Sequence, residues 1–164
     1  MLEGFPDGNH NSMRDELAQH AFLADMASWH IAKLAACAQA VDLSPGHYIW
    51  RQGQRPEMVY LVSRGRVALE IQIPNQGALE VESIREGEFL PWLWLGGVSR
   101  RRFDARAVLP TRVLVLDGRK LRALCEQDHE FGYQLLKRFA RATEDRLQAA
   151  RLHILELQGH APAR

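Results

Sequence analysis

The residues best suited to chemistry lie in two short stretches. Glu88 follows Gly87 at the end of an expected strand. A carboxylate held there can accept from a ligand hydroxyl, while neighbouring backbone N–H groups face an anion. A solvated turn residue is the plainer reading of the same pair. Arg100, Arg101 and Arg102 precede a strand that begins at Phe103. Guanidinium groups at a strand entrance can grip a phosphate through paired hydrogen bonds, and a solvated basic loop is the alternative. Asp104 and Arg106 share one strand face and can form an ion pair or ligand contacts. Between the two stretches lies an apolar segment with Phe89, Trp92 and Trp94. Its indoles can stack a base or form a partner-binding patch, and they can equally fill the core or close a lid over it.

Other chemistries find little support. His10, His20, His30, His47, His129, His153 and His160 are scattered without a paired metal-ligand spacing, and only His47 falls in the β region, so no metal site is expected. No nucleophile motif or phosphate-cradling glycine loop is present, which argues against an enzyme. The chain has 164 residues, 46% apolar and 25% charged, with a formal net charge of +1. That composition suits one soluble globular domain and gives no general attraction to nucleic acid or an anionic membrane. No apolar run is long enough to span a bilayer and no secretory signal opens the chain. Cys37 and Cys125 are expected to be free thiols, and the chain is expected to be cytoplasmic.

The elements that must position these residues follow from periodicity. Residues 1–14 are expected to be a leader, turn-rich up to Asn11, with Ser12 capping the first helix. From Asp15 to Val41 the apolar residues recur at helical spacing, predicting two or three short helices. Pro45-Gly46 ends that run. Gly46, Gly53 and Gly65 then punctuate short runs rich in Tyr, Trp and Val, as a tightly cornered β-roll requires. Val67–Ile73 and Leu79–Ile84 alternate apolar and polar residues around a Pro74–Gly77 turn, and two further strands flank Pro110. The roll is expected over about 46–116. Asp117 should cap a short helix, and Asp128 precedes a long one over about 130–157. The fold class is α+β, mainly β: a double-stranded β-helix or jelly roll with N-terminal helices and a long C-terminal helix.

On that last helix Leu136, Phe139, Thr143, Leu147, Ala150 and Ile154 are separated by three or four residues, close to a heptad seam. The seam can cover the chain's own roll or pair with a second copy. A helix of about 28 residues is about 42 Å long, more than this domain needs for cover, which favours a homodimer.

These residues together resemble the cyclic-nucleotide-binding domain, the sensor module shared by catabolite-activator/Fnr-type regulators, kinase regulatory subunits and gated channels. Gly46-x-x-Ile49-x-x-x-Gly53 and Tyr60-x-Val62-x-x-Gly65-x-Val67 are similar to the family's opening hairpins, and Gly87-Glu88 to the start of its phosphate-binding cassette. The resemblance covers roughly Leu17 to Leu157. It implies a ligand-sensing regulatory module whose effector is cyclic AMP or cyclic GMP. Glu88 would hold the ribose and Arg101 or Arg102 the phosphate. The cassette departs from the family pattern: Pro91, Trp92 and Trp94 add bulk, and Phe103-Asp104 replaces small residues. A structural or interaction protein that has lost its nucleotide is therefore the alternative. The family's DNA-binding members need some tens of residues beyond the dimer helix. Only seven follow it here, so a partner protein is expected rather than direct DNA binding.

Overall fold

A computed structural model describes residues 10–90 and 100–157. Two antiparallel sheets face each other, and helices cover one of them. The chain begins with α1 (His10–Gln19), a 3₁₀ turn at Ala21–Leu23 and α2 (Ser28–Ala35). The strands are β1 (Ala38–Leu43), β2 (Tyr48–Trp50), β3 (Met58–Arg64), β4 (Arg66–Ile73), β5 (Gly77–Arg85), β6 (Asp104–Ala107) and β7 (Thr111–Asp117). Two helices close the fold, α3 (Gly118–Gln127) and α4 (His129–Leu157). One sheet has the order β1-β7-β3 and the other β2-β6-β4-β5.

The three-stranded sheet is buried on both faces. Val62, Val113 and Val115 point into the roll, where they meet Trp50, Val67, Leu69, Ile84, Leu90 and Ala105 of the opposite sheet and its flanks. Val59, Leu61, Leu114 and Leu116 point the other way, against Leu17, Leu34, Leu121, Phe131 and Leu135 of the helices. That is why Val113–Leu116 reads as an unbroken apolar run instead of alternating. Gly65 makes the corner between β3 and β4 at φ +96, and a Cβ there would lie 2.6 Å from the Pro110 carbonyl oxygen.

Three expectations are corrected. Ala38–Val41 does not continue the helices but forms β1, paired in register with β7 from Ala38↔Leu116 to Leu43↔Thr111. The apolar spacing that suggested a helix is that of a short edge strand whose inner residues also contact the helical layer. The expected leader is too long, because α1 starts at His10 and Met13 is buried in the core. Ser12 consequently lies inside α1 and does not cap it. The expected cap further on is present: Asp117 accepts from the Arg119 and Lys120 amides at 2.9 and 3.0 Å. Asp128, which precedes α4 as expected, also accepts from the Phe131 amide at 3.0 Å. Lys33 of α2 pairs with Asp128, which ties the first helical layer to the start of α4.

α4 divides the expected seam. Leu135, Phe139, Ala142 and Arg146 turn toward the chain's own body, with Phe139 packed on Phe22 and Phe89 at ring separations of 4.7 and 4.9 Å. Leu136, Leu147 and Ile154 remain 42%, 50% and 53% exposed, and Thr143 and Ala150 are exposed with them. Phe139 thus belongs to the intramolecular contact, and the other five form a free edge.

Candidate ligand-binding site

The Arg85–Glu88 turn places Gly87 and Glu88 beside β3. The Gly87 amide donates to the Val62 carbonyl at 2.9 Å, and the Val62 amide donates to the Glu88 carbonyl at 2.8 Å. Gly87 has φ +84, and a Cβ there would come 3.1 Å from the Ala21 Cβ, so a glycine suits both the turn and the approach of the 3₁₀ segment. The Glu88 carboxylate is exposed. Its Oε2 accepts from the Arg85 amide at 2.6 Å, while Oε1 has no partner among the described residues. One acceptor oxygen therefore remains for a hydroxyl.

Phe89 is not a ligand-facing residue. It is 4% exposed and sits in the main core, between Phe22, Phe139 and the guanidinium of Arg146. Trp92 and Trp94 lie outside the described residues. The arginine triplet splits three ways. Arg100 donates to the Gly53 carbonyl at 2.8 Å, and Arg102 is exposed. Arg101 is 7% exposed, its guanidinium 3.8 Å from the Trp50 ring centre and donating to the Met58 carbonyl at 3.0 Å. Burial pushes its pKa down to about 10, still high enough to keep it charged at neutral pH. Arg101 thus braces the loop against the indole, and the strand-entrance position that suggested a phosphate grip has an internal role.

Asp104 and Arg106 do not pair with each other. Asp104, 2% exposed, accepts from the Gln52 amide at 2.7 Å and from Gln72 Nε2 at 3.2 Å, with Arg51 Nε at 3.4 Å. Arg106 reaches across to Glu70, the register partner of Asp104 on β4. Both acids lie on the outer face of the four-stranded sheet, away from the apolar core of the roll. Through these contacts they brace the sheet. Among the described residues no group of three or more His, Cys, Asp or Glu is placed to hold a metal ion.

Sequence reasoning missed two residues here. His20 is 5% exposed, with Nε2 donating to the Val62 carbonyl at 3.0 Å and Nδ1 accepting from the Phe22 amide at 3.3 Å. The same carbonyl receives the Gly87 amide, so His20 anchors the start of the cassette to the 3₁₀ turn. Arg146 is the second. Read along α4, Leu135, Phe139, Ala142 and Arg146 have spacings of 4, 3 and 4, which puts an arginine where the inward stripe calls for an apolar residue. Its Nη2 donates to the Phe89 carbonyl at 2.8 Å and its Nε lies 3.2 Å from Glu82.

Burial lowers the His20 pKa below its ordinary 6.5, outweighing the bond to Val62 and the nearby Glu16 and Glu86 carboxylates, which favour the charged form. The unfolded chain therefore takes up this proton more readily than the folded one. The contribution is complete above about pH 6.5 and is lost as the pH falls through that value toward the lower folded pKa. Urea unfolding at pH 7.5 and 5.5 should show the parent losing stability in acid. His20→Gln, which keeps a donor for Val62, should lose less across the same interval. Equal acid losses would assign the effect to another group.

Two concavities border this region. A cleft of about 270 Å³ is lined by Glu16, His20, Ser63, Glu86 and Gly87 among others, and its two acids suit it poorly to a phosphate. A groove of about 420 Å³ runs between the 3₁₀ turn and α4, past Phe22, Lys137, Arg138 and Arg141.

The family profile described as the cyclic nucleotide-binding domain matches residues 40–128, more than half of the sequence. The chain belongs to the cyclic nucleotide-binding domain family. A candidate potassium channel protein of Rhodopseudomonas palustris is 26% identical over 147 residues, covering 88% of this chain and 34% of its own length. The chain thus spans about a third of that relative. Among solved structures, a cyclic nucleotide-binding domain from Methylobacillus flagellatus superposes with a TM-score of 0.78 at 19% identity, covering 91% of this chain and 85% of that one. The regulatory domain of Toxoplasma gondii PKA, crystallised with cAMP, gives 0.65 at 20% identity and covers 81% and 50%. At such identities the structural likeness shows the fold. The family is a regulatory one, and no helix among the described residues is long and apolar enough to cross a membrane.

Proposed function

We propose that this chain is a regulatory sensor that binds a cyclic nucleotide, cyclic AMP or cyclic GMP, and signals through a protein partner as a homodimer. The observation that carries the reading is the Gly87–Glu88 turn, held against β3 on both sides with one carboxylate oxygen left to accept from a ribose hydroxyl. The cAMP-bound PKA relative supports that choice of ligand. The free edge of α4, from Leu136 through Thr143, Leu147 and Ala150 to Ile154, supports pairing with a second copy. Ligand binding at the cassette would favour one packing of α4 over another and so present that edge differently to a partner.

Calorimetry of the purified chain against both nucleotides tests the reading. Micromolar binding, about −8 kcal/mol, is the expected result. Glu88→Ala should weaken it roughly tenfold or more, the worth of one hydrogen bond to a charged group, with the thermal midpoint little changed. No heat up to millimolar ligand would sink the sensor reading and turn the search to protein partners of a nucleotide-free fold.

A further inference from the structure

The cation best placed beside the Gly87–Glu88 turn does not come from the arginine triplet. Arg100 is on the Gly53 carbonyl, Arg101 lies against Trp50, and Arg102 points to solvent. Arg146 instead enters from α4. Its side chain is 19% exposed, its Cζ lies 4.7 Å from the Phe89 ring centre, and it touches both the Phe89 carbonyl and Glu82. Nη1 is buried with no hydrogen-bond partner among the described residues. A desolvated guanidinium donor without an acceptor is costly unless something supplies one. Glu88 is near enough to act electrostatically on the same group.

We propose that Arg146 is the anion-gripping residue of this site, so that the phosphate of a cyclic nucleotide is held from the last helix. The proposal rests on the sensor reading above. The geometry gives the guanidinium one fixed donor bond to the Phe89 carbonyl and one yielding contact. Glu82 is 40% exposed and can swing into water when a phosphate oxygen takes its place. Burial lowers the pKa of Arg146, while Glu82 and Glu88 raise it. The charge is thus poised in a partly dry site where a bidentate phosphate contact is strong. An anion bound there would couple the cassette to α4 directly, with no relay through the roll.

The stripe position makes the test clean. An apolar residue of similar length belongs there by packing, and the partner left behind, Glu82, is 40% exposed, so it is taken up by water and not stranded as a buried unpaired charge. Arg146→Met should therefore melt at the parent's temperature or above it. Its affinity for cyclic AMP and cyclic GMP by calorimetry should nevertheless fall about tenfold or more, the loss of a charged hydrogen bond. Affinity for adenosine, which lacks the phosphate, should not change. Glu82→Gln should tighten cyclic nucleotide binding, since it removes the competing carboxylate. Three results overturn the assignment: Arg146→Met binding like the parent, cyclic nucleotide and adenosine weakened equally, or a variant that melts well below the parent. If the parent itself binds neither nucleotide, the sensor reading falls first and this assignment with it.

Discussion

Phe89→Ala is expected to destabilise the chain by about 3–5 kcal/mol, the usual range for a buried phenylalanine cut to alanine. Phe89 is 4% exposed and is the one residue of the Gly87–Phe89 stretch that reaches the main core. It lies 5.1 Å from the Phe22 ring centre and 4.9 Å from Phe139, the latter nearly edge-on. Those contacts join three pieces distant in sequence: the 3₁₀ turn, the cassette and α4. The loss should therefore go beyond a cavity. With the ring gone, Phe139 keeps Phe22 but loses its edge-on contact, and the Arg146 guanidinium loses the face it covers. Amide exchange along Phe139–Arg146 should then rise by more than in α1 or α2. Phe89→Leu, which keeps most of the volume, should cost less than about 1.5 kcal/mol in urea unfolding. A small loss in the alanine variant would mean that the cassette is not tied to α4 through this ring.

Much of the architecture was legible in the sequence because the roll is built from local signals. The positive-φ glycines at 46, 53, 65, 77 and 87 mark turns that other residues would strain, and alternation identifies the strands between them. The cap at Asp117 is legible for the same reason, since a cap is a contact over two or three residues. β1 was not legible. Ala38–Val41 carries small and apolar residues that fit either period, and its strand identity is decided by β7, more than seventy residues away. The site was legible only at Gly87-Glu88, where a turn sets the geometry. The arginines mislead because their partners are non-local: Trp50 captures Arg101, and Glu70 captures Arg106. Arg146 reads as one more charge on a charged helix until the inward stripe of α4 is fixed by the Phe22–Phe89–Phe139 contact.

Arg106→Ala should be the second large loss, and its cause is electrostatic. Glu70 is 2% exposed on β4, and Arg106 Nε donates to its two carboxylate oxygens at 3.1 and 3.0 Å while Nη2 also donates to it. Asp104, the register partner of Glu70, adds a second buried carboxylate on the same face, answered by Arg51 and the Gln52 amide. Two like charges opposite each other on adjacent strands hold only while each has its own cation. Removing Arg106 leaves Glu70 buried, unpaired and beside Asp104. A fully buried pair broken in this way costs about 3–5 kcal/mol, and because Arg106 is 30% exposed we expect about 2–4 kcal/mol here. Glu70→Gln in the same chain removes the stranded charge, so the double variant should recover a large part of the loss. Urea unfolding of the two single variants and the double one decides the matter. Additive losses would show that the pair adds little beyond packing, and that the outer face of the sheet is held by Asp104 and its neighbours alone.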